Sequence, residues 1–171
     1  MNKAIVPRNE AESTELFEYL KKVDNQDLTV DERTILRTVF EKTEYAGMRE
    51  IIARIMIDLE DEEMYSYLIR KVKACIHTKN VAFLVYCCSF YECSEDLQLF
   101  IDIIILKPST DRCIASAVEV FKKIENIPEE ERIYALNKLL AYRETLESYT
   151  EKYEDVSIVI DWLTDFTPIE N

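Results

Sequence analysis

Glycine is almost missing from this chain: Gly47 is the only one in 171 residues, and four prolines are the only other strong backbone punctuation. A sheet of many short strands needs a turn residue about every ten positions, so an all-β architecture is excluded. A glycine-rich phosphate cradle is excluded on the same ground. Histidine is equally scarce. His77 is the single candidate for an imidazole base, and it stands near a helix end between Lys73 and Lys79, a setting for a surface or capping side chain. No apolar run reaches the roughly 18 residues of a membrane span. The longest stretch, Val81–Tyr91, is interrupted by Ser89. Met1–Leu20 carries acids where a secretory leader would be apolar.

The five cysteines, Cys75, Cys87, Cys88, Cys93 and Cys113, are odd in number and sit inside apolar segments. They read as reduced core thiols. No Cys-x-x-Cys pair occurs, and Cys75-Ile-His77 is too little for a zinc site, so neither metal nor cofactor is expected. These features together predict a cytoplasmic protein.

What the chain does contain is helical periodicity. Leu16, Phe17, Leu20 and Val23 mark one apolar face, and Ile35, Leu36, Val39 and Phe40 a second. Thr29 with Glu32, or Asp31, supplies the start signal of that second helix. Met48 through Leu59 keeps the spacing without a miss, and Asp61 then reads as an N-cap before Met64, Leu68, Val72 and Ile76. Val81–Tyr91 is apolar nearly all round, as a helix buried on several sides would be. Ser94 reads as the cap of a helix through Leu97 and Ile104. Ser109 or Thr110 reads as the start of the next, through Ile114 and Phe121. Pro128 takes a first helical position ahead of Glu129, Glu130 and Glu131. A last helix carries Val156, Val159, Ile160 and Leu163. Phe83–Tyr86 and Ile101–Leu106 are rich in β-branched and aromatic residues and fit either helix or strand. Length and even spacing favour helix.

The expected fold is therefore all-α, one domain over residues 1–171, with about 8–9 helices stacked as antiparallel pairs. Acidic turns at Asp58–Glu63, Glu92–Asp96 and Glu125–Glu131 separate the pairs. The first apolar residues after them, Met64, Leu97 and Ile133, lie 33 and 36 residues apart. That period resembles the HEAT-like right-handed α-solenoids, over about 45–143, with the flanking helices as caps. The proline and the aspartate–arginine ladder of such repeats are not cleanly present.

The charge argues for function. There are 34 acids and 21 bases, a formal net charge of −13. Some HEAT-like proteins are DNA glycosylases, but a chain so acidic, in which Lys21, Lys22, Lys71 and Lys73 form no long basic stripe, is not built to grip phosphates. From Glu144 to Asn171 eight acids face one base, Lys152. If the preceding helix runs past Tyr149, then Glu144, Glu147, Glu151 and Glu154 share one face. Tyr142, Tyr149, Tyr153 and Trp162 lie among the acids, and aromatics beside charge are typical of binding surfaces. The expected partner-binding residues are Glu144, Glu147, Tyr149, Glu151, Tyr153, Glu154, Asp155 and Trp162, with Glu62 and Glu63 at the edge of a concave face. In character the chain is similar to small acidic bacterial toxin-immunity proteins, such as those of contact-dependent growth inhibition. That resemblance implies a non-catalytic inhibitor of a basic toxin, a nuclease being one such target. An adaptor presenting a concave surface to a peptide or subunit is the alternative.

Overall fold

The computed structural model describes residues 10–20, 28–78, 81–108 and 110–167. Val23, Lys21, Lys22, Lys79, Ser109 and Glu170 lie outside them. The described residues form an all-α protein: α1 (Glu10–Leu20), α2 (Val30–Lys42), α3 (Ala46–Asp58), α4 (Met64–Cys75), α5 (Ala82–Cys88), α6 (Leu97–Leu106), α7 (Arg112–Phe121), α8 (Glu129–Arg143) and α9 (Glu151–Asp165). They fall into two compact units, Met1–Ala74 and Cys75–Asn171.

In the first unit α3 packs against α1 and α2. The expected capping box opens α2. The Thr29 hydroxyl accepts from the Glu32 amide while the Glu32 carboxylate accepts from the Thr29 amide. Phe40, Ile52, Met56, Met64, Leu68 and Val72 are fully buried, each worth about 1.5–3 kcal/mol relative to exposure. Two polar links tie α4 back to α2: Arg70 Nε donates to Glu41 at 3.0 Å and Lys71 Nζ to the Glu41 carbonyl at 2.9 Å. Asp61 caps α4 as read, accepting from the Met64 amide at 3.1 Å.

In the second unit α7 packs on α5, α6 and α9, and α8 on α6 and α9. Both segments that could have been strands are helical. α5 buries Leu84, Val85, Cys87 and Cys88, and α6 buries Phe100, Ile101, Ile103 and Ile104. α6 packs on both α7 and α8, as its wide apolar surface requires, whereas α5 packs chiefly on α7 and leaves Tyr86 exposed. All five cysteines are free thiols, four of them buried and Cys75 partly so. Cys88 donates to the Leu84 carbonyl and Cys93 to that of Cys88. Burial pushes the Cys88 thiol well above its ordinary value. It carries Cys113 to about 11, where the Asp111 carboxylate adds to the rise and Lys107 works against it.

Three helix starts differ from the expectation. Ser94 does not cap α6. It opens a 3₁₀ turn, Ser94–Asp96, and its amide and hydroxyl donate to the Glu92 carboxylate. The cap of α7 is Asp111, which accepts from the Cys113 amide at 3.0 Å, and not Thr110. Pro128 stands one place before α8 rather than within it, although Glu129, Glu130 and Glu131 do fill the first turn.

Candidate functional site

The acidic segment is built from two helix ends and the turn that joins them. α8 stops at Arg143. The Thr145 and Leu146 amides then donate to the Tyr142 and Arg143 carbonyls, and the Thr145 hydroxyl donates to the Tyr142 carbonyl as well. Thr150 restarts the chain as the N-cap of α9, accepting from the Tyr153 amide at 3.2 Å. The helix therefore does not run past Tyr149, and Glu144, Glu147, Glu151 and Glu154 do not share one helical face. Glu151 and Glu154 occupy the first turn of α9, where the helix dipole favours anions. Glu144 ends α8, where it does not.

All four glutamates are exposed, and none forms an ion pair with a described residue. Tyr149 is 80% exposed, the most open large apolar side chain described. Its hydroxyl donates to the Glu147 carboxylate, which pushes the phenol up. Tyr153 is half-buried, with the Arg143 guanidinium 5.7 Å from its ring centre. Asp155 is also half-buried. Burial raises its carboxyl above the usual range, Lys152 opposes that shift, and Glu151 and Glu154 add to it.

Lys152, the one base counted against eight acids, turns inward. It is 9% exposed, and its ammonium donates to the Ile104 and Lys107 carbonyls at the C-terminal end of α6. Burial lowers its pKa and Asp155 works in the other direction. The surface of the segment is therefore more acidic than its composition. This role joins residues 48 and 45 positions apart, and no local motif announces it.

Trp162 lies toward the other end of α9. Its ring centre is 5.4 Å from that of Phe121 and 5.1 Å from that of Phe166. A groove of about 720 Å³ opens there, lined by Lys123, Glu125, Asp161, Trp162, Asp165 and Phe166 among others. A second groove, of about 560 Å³, adjoins His77, Lys107, Asp111 and Arg112. Its buried ammonium is committed, since Lys107 donates to the Thr78 carbonyl and faces Asp111 at 3.8 Å. Glu62 and Glu63 belong to the first unit. Both are exposed, and Glu63 pairs with Arg37 at 3.0 Å.

Among the described residues no group of three or more histidines, cysteines or acids is placed to hold a metal ion, and no helix is long and apolar enough to cross a membrane. Compared with family models, curated proteins and solved structures, the chain matches none.

Proposed function

We propose that this chain is a non-catalytic protein-binding domain, and that it neutralises a basic toxin domain by direct contact, as small acidic immunity proteins do. The observation that carries the reading is the inward turn of Lys152. It leaves Glu144, Glu147, Glu151 and Glu154 exposed around Tyr149, without an ion pair to any described residue. A surface of that kind speeds encounter with a positively charged partner and stands in for the phosphates of a nucleic-acid substrate.

The test is to mix the chain with basic toxin domains encoded beside its gene and to titrate their activity. Stoichiometric loss of activity, weakening as salt rises, is the expected result. Inhibition that needs a large excess, or that ignores salt, would sink the proposal.

A second reading, a HEAT-like adaptor for a peptide or subunit, draws on the packing of the second unit. There α6 and α7 each touch helices one and two places along the chain, as stacked helix pairs require. Stable capture of a non-toxin partner would favour it.

A further inference from the structure

We propose that the groove between the C-terminal ends of α7 and α9 receives an arginine side chain of a protein partner. The guanidinium would lie on Trp162, with Asp161 and Asp165 as its counter-charges.

The groove has an aromatic floor. Trp162 and Phe166 stand one turn apart, their rings tilted by 57° at 5.1 Å, and Phe121 backs Trp162 from α7. Both Trp162 and Phe166 are only partly buried, so apolar ring surface remains open to the groove. Asp161 and Asp165 are exposed, one turn apart beside those rings, and neither forms an ion pair with a described residue. Of the two lysines in the lining, Lys122 is occupied by Glu119 at 2.7 Å. The remaining charges are Glu125, Asp161 and Asp165 against Lys123, three carboxylates to one ammonium. An aromatic face flanked by unpaired carboxylates attracts a cation. A planar guanidinium uses both features, stacking on the ring and forking to the acids, where an ammonium offers only a point charge.

This inference rests on the reading of the chain as a receptor for a basic protein, but its geometry is separate. Trp162 is ten residues beyond Lys152 on the same helix, which places the groove about 15 Å from the acidic turn.

Trp162 is the only tryptophan in the chain, so intrinsic fluorescence reports on this groove directly. The probe is the blocked tripeptide acetyl-Ala-Arg-Ala-amide, with the citrulline peptide as a neutral isostere. The arginine peptide should shift Trp162 emission saturably, and the citrulline peptide should bind at least about tenfold more weakly, a difference of about 1.4 kcal/mol. Asp161→Asn with Asp165→Asn should abolish the distinction while the circular dichroism stays unchanged. An equal response to both peptides, or no saturable response, overturns the proposal, and this comparison needs no variant to fold. The peptide is titrated without any toxin partner. Failure here with salt-dependent inhibition intact therefore removes the groove and leaves the wider reading standing.

Discussion

The Arg37 guanidinium donates to the Asp61 carboxylate at 2.7 Å, with 5% of either side chain open to solvent. The same carboxylate oxygen caps α4 through the Met64 amide. One buried acid thus neutralises a cation of α2 and starts α4. Asp61→Ala should lower stability in urea unfolding by roughly 1–3 kcal/mol, because it removes the cap of α4 and leaves the buried Arg37 guanidinium only the exposed Glu63 carboxylate as its counter-charge. Asp61→Asn keeps an acceptor for the cap and should cost less. Equal losses in the two variants would show that the cap contributes nothing separate from the charge.

Just before that residue the backbone is strained. Glu60 has φ 51°, the only positive φ at a non-glycine among the described residues. It ends α3 in a Schellman turn: the Asp61 amide donates to the Met56 carbonyl and the Glu60 amide to that of Ile57. A residue with a Cβ pays about 1–2 kcal/mol in this conformation. Glu60→Gly should therefore raise the urea midpoint by an amount equivalent to about 1 kcal/mol. A lowered midpoint would mean that the Glu60 side chain holds the turn by some other contact.

Periodicity made the helices legible, because apolar residues at three- and four-residue spacing are visible one segment at a time. Thr29, Glu32 and Asp61 were legible for the same reason: a cap and its partner lie within three residues. The misreadings came where neighbouring polar residues compete. Asp111 displaces Thr110 as the cap of α7, and Glu92 takes the donors of Ser94. The break at residues 144–150 was hidden because no glycine or proline marks it. Thr145 and Thr150 close the turn with side-chain bonds to the Tyr142 and Glu147 carbonyls. Of the candidate site, the excess of acid was readable in the sequence. The inward direction of Lys152 and the groove beside Trp162 depend on contacts between distant segments.

Asp155 makes the stability of the second unit fall as pH rises through its folded pKa, and Lys152 moderates that effect. Burial raises the Asp155 carboxyl in the folded protein, and Lys152 holds that rise down. A raised folded pKa means that the native state favours the proton. The contribution of Asp155 is then fully present below its unfolded pKa and is lost as pH rises through the folded one. Lys152→Met removes the opposing cation, so the Asp155 carboxyl titration followed by NMR should move upward and that pH window should widen. The change also leaves the Ile104 and Lys107 carbonyls without their donor, which should cost roughly 1–3 kcal/mol at neutral pH. A titration midpoint that stays put would show that Lys152 does not act on Asp155.

The acidic turn offers a test in which charge and stability can be separated. Glu144 stands at the C-terminal end of α8, where a cation is favoured, so Glu144→Lys should gain a few tenths of a kcal/mol. Glu151 and Glu154 stand at the N-terminal end of α9, where lysine would be unfavourable, so neutral Glu151→Gln and Glu154→Gln are the suitable changes. Combining these three with Glu147→Lys should slow association with a basic partner and flatten its salt dependence, since exposed charges act mainly on encounter. Tyr149→Ala should act on the other rate. Its ring is 80% exposed and held beside Glu147, so removing a contact of this kind should speed dissociation with little effect on folding. Stopped-flow association and dissociation across a salt series would separate the two. If the charge variant keeps both its association rate and its salt slope, the turn is only a solvated corner of the fold, and the partner must dock elsewhere.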